Sequence, residues 1–517
     1  MSIIIVDENW LVKSVPELTI KDSHVTLKFL TPPKRIFRHG WHSWTLTSWL
    51  DPSVPPLTNR SSEFRLRDED PSYALSNKHT SSWVGAVELE PDRILLIGAL
   101  DLGGRLEFEF SSVTAFYESG DGEWLITFGS EDQVFSSYAR SLSLKFGKTR
   151  FATPPRVWCS WYSLYRWIDQ AAIKNILSGL DGLPFDVIQV DDGWQVAYGD
   201  WEPNQNFSFG MKKLASDIQS TGRRAGLWIA PFMASKKSAL YHRHPDWLLR
   251  DENGKHVQVG LTWEGRPYAL DTSHPELLEW LTKMIQTVRS WGISYLKLDF
   301  LYAGALPGKR YKNIPREQAY RNALQVVRDA AGDAYILACG APIIPSLGLV
   351  DGLRIGPDVT PYWVNKPLAE WLNNPSEASS VNAIRTCLHR LWLNPIVHTD
   401  PDVAFFRSRY NDLSRVENQM LLDLGTISGF KSTSDLPQWL DDGQFEDLRQ
   451  YLLVKAVTRK VGRYQYSING RLVDFEPHVH FKRGLAAPIW FARNLGLIKI
   501  ILRQVLPAVW ESRLHPK

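Results

Sequence analysis

The sequence predicts an α/β protein: a (β/α)8 TIM barrel with an N-terminal β-sandwich domain and a small C-terminal domain read as β. Three observations lead there. Residues 1–150 carry short alternating apolar segments separated by Gly, Asp, Asn and Pro turns. From Arg156 the rhythm becomes strand, loop, helix, repeated about eight times over roughly 280 residues, which suits a closed parallel barrel. Charged and aromatic residues follow nearly every apolar strand in that second region. The expected domains are therefore 1–150, 151–440 and 441–517.

In the first domain the strands are predicted at His24–Leu30, Trp83–Leu89, Ile94–Gly98, Leu106–Phe110 and Trp124–Phe128. His39-Gly-Trp-His-Ser-Trp44 reads as an aromatic turn, either closing the sandwich or reaching outside the domain. Val134–Leu142 reads as a connecting helix and Thr153-Pro-Pro155 as the boundary. Predicted barrel strands are Val157–Trp161, Phe185–Val190, Ala225–Ile229, Tyr295–Phe300, Tyr335–Ala338 and Gly352–Ile355, with weaker ones near Trp392–Val397 and Thr426–Phe430. Helices are expected at Asp169–Leu180, Lys213–Ser220, Pro275–Ser290, Arg316–Ala331 and Arg415–Leu424. No G-x-G-x-x-G follows the first strand, which disfavours an open dinucleotide-binding sheet.

Composition narrows the partners. The 517 residues carry a net charge of +3 with no dense basic block, so neither nucleic acid nor a membrane surface is indicated. Three widely spaced cysteines suggest neither a disulfide framework nor a zinc site. Met1-Ser-Ile-Ile-Ile-Val-Asp-Glu8 turns acidic too early for a signal peptide, and no apolar run reaches the roughly 18 residues of a membrane span, so a cytoplasmic protein is expected. Twenty-two tryptophans are more than packing calls for, and their flat rings suit sugar binding.

The chemistry is expected at the C-terminal ends of the strands. There stand Trp158-Cys-Ser-Trp161, Asp191-Asp192-Gly-Trp194, Leu227-Trp228, Lys297 with Asp299, Cys339-Gly340, Arg354 to Asp358, Asp400-Pro-Asp402 and Ser432 to Asp435. H-E-x-x-H, G-x-S-x-G and P-loop motifs are lacking, so no metal and no cofactor is called for. Two carboxylates across an aromatic-walled pocket suit glycoside hydrolysis. Asp299, on the same strand face as Lys297, is expected to have its ionised form favoured by that cation, as a nucleophile requires. Asp358 is the candidate proton donor. Adjacent Asp191 and Asp192 can read neighbouring hydroxyls.

The ordered strings Trp158-Cys-Ser-Trp-Tyr162, Ile188-Gln-Val-Asp-Asp-Gly-Trp194, Gly226-Leu-Trp-Ile-Ala-Pro-Phe232, Leu296-Lys-Leu-Asp-Phe300, Ala338-Cys-Gly340 and Gly352-Leu-Arg-Ile-Gly-Pro-Asp358 resemble the α-galactosidases of glycoside hydrolase family 36, in particular the short bacterial type. The resemblance runs from about Arg156 to about Asp435. It implies a retaining enzyme acting on terminal α-galactosyl residues of oligosaccharides, with Asp299 as nucleophile and Asp358 as acid/base. It further implies that Asp191 and Asp192 bind galactose O4 and O6, and that Lys297 and Arg354 hold ring hydroxyls. Trp228 would line the pocket, Cys339 and Gly340 would shape the wall near O2, and Trp161 would sit close by. Trp41 or Trp44 would close the pocket from the first domain.

Two stretches depart from the family pattern. Trp392–Asp402 carries extra residues relative to W-L-N-D-P-D, leaving its register open, and Leu485–Trp510 is apolar with interspersed basic residues. Tyr464–Val473 reads as a hairpin turning at Asn469-Gly470. Alternatives on the same site are galactosyl transfer, as in raffinose synthases, and α-N-acetylgalactosaminidase activity. Outside that class stand a Schiff-base aldolase using Lys297 and a sugar-binding protein without turnover. Oligomeric state is not legible.

Overall fold

In the computed structural model, residues 2–6, 17–54, 56, 68–73, 76–364 and 375–480 are described. Eight parallel strands form one sheet: β1 (Val157–Cys159), β2 (Val187–Val190), β3 (Arg224–Ile229), β4 (Ile293–Leu298), β5 (Tyr335–Ala338), β6 (Gly352–Arg354), β7 (His398–Asp400) and β8 (Ser432–Thr433). Their spatial order is 8-1-2-3-4-5-6-7, so chain neighbours are sheet neighbours from β1 to β7, while β8 pairs with β1. Beyond β7, Ala404 N–H donates to the Ser432 carbonyl of β8 (2.9 Å). The strands are buried on both faces because helices cover the sheet, as parallel sheets require.

Helices connect most of these strands: α1 (Gln170–Gly179), α2 (Met211–Ser220), α3 (Pro275–Ser290), α4 (Arg316–Ala331), α5 (Ser380–Leu388) and α6 (Arg415–Ser428). α3 starts where Pro275 occupies a first-turn position, and α6 starts on a capping box between Ser414 and Glu417. Apolar residues of α3 at Leu277, Leu281, Met284, Ile285 and Val288 recur at helical spacing and are all buried.

The two weaker strand expectations need correction. Leu391–Leu393 is a 3-10 turn, and the strand comes later, at His398–Asp400. Pro395 lacks the N–H a ladder needs, so pairing with β6 starts only at Gly352–His398. Thr426 to Ser428 belongs to α6, which runs on until Gly429 takes a left-handed conformation (φ 78°). β-Branched and aromatic residues around that helix end mimic a strand, whereas the actual strand is Ser432–Thr433.

The first region forms two sheets. One has five strands in the order Ser2–Val6, His24–Phe29, Ser112–Tyr117, Gly104–Glu109 and His79–Ser82, its first pair parallel. The other has six, in the order Glu17–Asp22, Gly122–Gly129, Arg93–Ala99, Val84–Glu90, Arg35–Arg38 and Ser48–Leu50. The sheets meet face to face: a Cβ on Gly85 would lie 2.5 Å from Phe108, so only glycine fits there. Near the C-terminus, strands Gln465–Ile468 and Arg471–Asp474 form the expected hairpin. Asn469 (φ 49°) and Gly470 (φ 85°) make its left-handed turn. The apolar stretch Leu485–Trp510 lies outside the described residues.

The first region is joined to the parallel sheet by buried charge. Glu317, in the first turn of α4, accepts from Trp83 Nε1 (3.0 Å), Gly103 N–H (2.7 Å) and Arg105 Nη2 (2.7 Å). Arg390 is fully buried and donates to the carbonyls of Gly40 (3.2 Å), His42 (2.9 Å), Ser43 (3.0 Å), Thr45 (3.0 Å) and Ile355 (2.9 Å). The aromatic turn therefore reaches outside its own sheet, locked by one guanidinium.

Replacing Arg390 with Ala would orphan several buried carbonyls, at about 1 to 3 kcal/mol each before relaxation. We expect Arg390→Ala to lower the melting temperature sharply, in a thermal shift assay, and Arg390→Lys to recover only part of the loss.

Candidate active site

Backbone geometry places Asp299 immediately beyond β4, its N–H donating to Ile229 O of β3 (2.9 Å). Both carboxylate oxygens are held. Trp228 Nε1 donates to Oδ2 (3.0 Å) and Phe300 N–H donates to Oδ1 (2.7 Å). Phe300 adopts φ 50°, a conformation unusual for an aromatic residue that turns the chain sharply after the carboxylate.

Lys297 shares the strand face of Asp299 but does not bond to it. Its ammonium reaches across the sheet to Asp191 Oδ2 (2.8 Å) at the end of β2. Burial raises the Asp299 carboxyl above its ordinary value, and the Lys297 charge and the Trp228 N–H only partly oppose this. The cation does favour the ionised form as expected, while desolvation acts the other way and is the larger effect. Nearby Asp358 pushes in the same direction, so the two carboxylates lie close enough to feel each other's charge.

Asp191 is also bonded by Gln189 Nε2 (2.5 Å), and its Oδ1 accepts the Asp192 N–H (2.9 Å). Asp192 accepts from Gln195 Nε2 (2.6 Å) and the Tyr198 hydroxyl (2.6 Å), with Arg166 Nε 3.3 Å away. Burial pushes the Asp192 carboxyl up to about 6, against the opposing pull of Arg166 and the two donors. Glu264 closes a ring by binding Arg166 Nη2 (2.9 Å) and Tyr198 N–H (2.9 Å).

Arg354 binds Asp400 Oδ2 through Nε (2.8 Å) and Asp402 Oδ2 through Nη1 (2.8 Å), and stands 3.5 Å from Asp358 Oδ1. Asp402 is bonded by the Tyr162 hydroxyl and by Val359 N–H (3.0 Å). Burial pushes Asp402 up to about 7, with Asp358 and Asp400 adding to the effect and Arg354 opposing it. Asp358 differs from its neighbours in access: its side chain is 35% exposed, against 5% for Arg354 and for Lys297.

The remaining predicted residues divide. Cys339 is buried, and both Asp299 and Asp358 help to raise its thiol above the ordinary range, after burial itself. Gly340 (φ 55°) donates its N–H to Ser43 Oγ (3.0 Å), and a Cβ there would lie 3.3 Å from Phe300 and from Trp44. Trp44 packs edge-on against Phe300 (centroids 5.5 Å). Trp41 instead sits fully buried beside Tyr302 (6.1 Å), so of the two indoles Trp44 is the one against the site wall. Trp161 is half-buried, with its ring against Tyr165 (5.0 Å) and Trp263 (5.7 Å). Tyr162, Arg166, Tyr198 and Glu264 escaped the sequence reading because they lie in connections. Asp400 and Asp402 were visible at a strand end but carried no assigned role.

A ring of paired carboxylates and cations, with one better-exposed carboxyl and tryptophans on its wall, defines the class: a glycoside hydrolase of the (β/α) type. Comparison with known proteins agrees. A family model described as Melibiase matches residues 128–329. A solved α-galactosidase, TtGalA from Thermus thermophilus in complex with p-nitrophenyl α-D-galactopyranoside, is 41% identical. The match covers 90% of this chain and 95% of that one, with a TM-score of 0.85. Among curated relatives, a probable α-galactosidase C of Aspergillus oryzae is 32% identical over 30% of this chain. The α-galactosidase AgaA of Geobacillus stearothermophilus is 31% identical over 33% of it. The matched segments span 22% and 24% of those relatives' own lengths. The chain belongs to the α-galactosidases of glycoside hydrolase family 36. No described helix is long and apolar enough to cross a membrane.

Asp192 supplies a stability prediction. Its folded-state value lies above the ordinary 3.8, so the stability it contributes is fully present below that value and is lost as pH rises through about 6. The melting temperature of Asp192→Asn minus that of the parent should therefore increase between about pH 5 and about pH 8. A difference independent of pH would contradict the assignment.

Proposed function

We propose that the chain is a retaining α-galactosidase that hydrolyses terminal α-D-galactosyl residues from oligosaccharides by double displacement. The observation that carries this reading is the pairing of two unlike carboxyls that sense each other's charge. One is buried and held at both oxygens, and the other is open to solvent. Asp299 attacks the anomeric carbon, its orientation fixed by Trp228 and the Phe300 N–H. Asp358 protonates the departing glycosidic oxygen, then takes a proton from the water that releases galactose. Solvent access suits the second role because both leaving group and water pass that side.

Asp192 and Asp191 read the axial O4 and the O6. Pre-bonded carboxylates reject a sugar that presents the wrong hydroxyl, because their remaining acceptor sites would be left unpaired in a dry pocket. Lys297 and Arg354 hold ring hydroxyls while neutralising Asp191, Asp400 and Asp402. Cys339 and Gly340, backed by Ser43 and Trp44, form a close wall near O2, which favours an unsubstituted C2 over an N-acetyl group. An aldolase reading fits poorly. Burial alone would lower the Lys297 ammonium, but Asp191 and Asp299 hold it well above its usual value, whereas a Schiff base needs the free amine.

The related Thermus structures, one holding an aryl α-galactoside and one holding stachyose, support the substrate class. The fold belonging to this reading is a closed (β/α)8 barrel over 151–440, a β-sandwich over 1–150 and a small C-terminal domain over 441–517. The bond from Ala404 to Ser432 supports closure.

The test is a parallel assay of p-nitrophenyl α-galactoside, β-galactoside and α-glucoside, with the first-released anomer followed by NMR. We expect turnover of the α-galactoside with α-galactose appearing first. Asp299→Ala should lose at least about 10⁴-fold in kcat. Near-parent turnover by that variant would remove Asp299 as nucleophile.

A further inference from the structure

Asp402 carries none of the roles assigned above, yet it touches the surroundings of Asp358 at two points. Its Oδ2 accepts from Val359 N–H (3.0 Å), the residue next to Asp358, and pairs with Arg354 Nη1 (2.8 Å), the cation that stands 3.5 Å from Asp358 Oδ1. The same oxygen accepts from the Tyr162 hydroxyl. The side chain is fully enclosed, and Oδ1 has no hydrogen-bond partner among the described residues. Asp402 therefore meets the backbone and the cation beside the acid/base, and not the sugar.

The chain is bent to put it there. Asp402 adopts φ 84°, a left-handed conformation that costs energy for any residue with a Cβ and is kept where surrounding bonds enforce it. Asp402 N–H donates to Asp400 Oδ1 (2.8 Å), and Asp402 O accepts from Ser432 Oγ of β8 (2.9 Å). The connection bearing Asp358 is gripped again one residue beyond Val359, where Thr360 O accepts from Ser380 Oγ at the start of α5 (2.6 Å). Asp358 thus keeps an exposed side chain on a backbone that is tied down just after it.

Charge around Asp402 is one-sided. Arg354 of β6 is the cation against it, and Asp358 and Asp400 are the anions. From β1 and the connection after it come Cys159, Tyr162 and Tyr165, and from α5 comes Cys387, all buried and with raised hydroxyls or thiols that stay neutral. Arg354 also binds Asp400 through Nε (2.8 Å), so one guanidinium is shared among three carboxyls. Left uncompensated, it would favour the carboxylate of the acid/base, which has to hold a proton when the substrate arrives.

We infer that Asp402 is a positioning residue for the reaction, anchoring Asp358 through the Val359 N–H and offsetting Arg354 so that the acid/base keeps its proton for the leaving oxygen. This rests on the α-galactosidase reading. Repulsion between the two carboxyls is mutual: Asp358 helps burial to push Asp402 up to about 7, and an anion at 402 resists loss of the proton from Asp358 in turn.

The experiment records kcat/KM against pH for raffinose and for α-galactosyl fluoride, whose departing fluoride has little need of a proton, in the parent and in Asp402→Asn. Asparagine tolerates the same left-handed backbone. With raffinose, the alkaline limb of the variant should lie about one pH unit lower than that of the parent, and with the fluoride it should stay in place. A lower rate with the raffinose limb unmoved, or a limb that moves equally on both substrates, overturns the inference. Should Asp402→Asn not fold, Tyr162→Phe removes a donor that favours the ionised Asp402 and should move the raffinose limb the same way by less, with the same two overturning results. Failure of the parent to turn over either substrate would instead sink the α-galactosidase reading itself, which keeps the two failures apart.

Discussion

Two buried cations make the site sustainable. Carboxylates crowded at the end of a parallel sheet cannot all stay ionised in a dry environment, and each isolated one would cost several kcal/mol. Lys297 compensates Asp191 and, through space, Asp299, while Arg354 binds Asp400 and Asp402 and stands beside Asp358. The compensation is uneven. Asp192 and Asp402 are pushed up to about 6 and about 7, so burial is not fully offset at either. That residual imbalance is the usual mark of a site whose charges serve chemistry rather than stability.

The aromatic turn from the first region belongs to the same scheme. Ser43 accepts the Gly340 N–H, Trp44 backs Gly340 and Phe300, and Glu317 and Arg390 tie the two regions with charge-assisted bonds. Connections therefore contribute much of the wall, held in place by the buried charges beneath them. Asp299 stays in place because its neighbours on β3 and in the turn after β4 are themselves fixed.

Legibility in the sequence followed periodicity. α3 and α4 match their expected spans because Pro275 and the apolar spacing mark them clearly. The first six strands of the parallel sheet fall where apolar runs end in charged or small residues, within about two residues at either end. The last two strands are only three and two residues long, beside a 3-10 turn and a helix end, so composition alone misplaced them. Asp191, Asp192, Lys297, Asp299, Arg354 and Asp358 could be listed from strand ends, but not who pairs with whom. A lysine side chain spans the distance between strands, and nothing in the spacing chooses Asp191 over Asp299. Tyr198 and Glu264 were invisible because their role arises only when distant connections meet.

The guanidinium at position 390 bears on how such a chain can be cut or recombined. Four of its five acceptors are main-chain oxygens of the Gly40–Thr45 segment, so this guanidinium recognises a backbone path. The side chains of the segment are constrained separately, since Ser43 Oγ accepts the Gly340 N–H and a Cβ on Gly40 would lie 2.4 Å from Thr45 O. An excised catalytic portion lacking it would leave that guanidinium with the Ile355 carbonyl alone of these five acceptors. Cutting the chain between the two portions therefore takes from a buried cation most of the oxygens that replace its water.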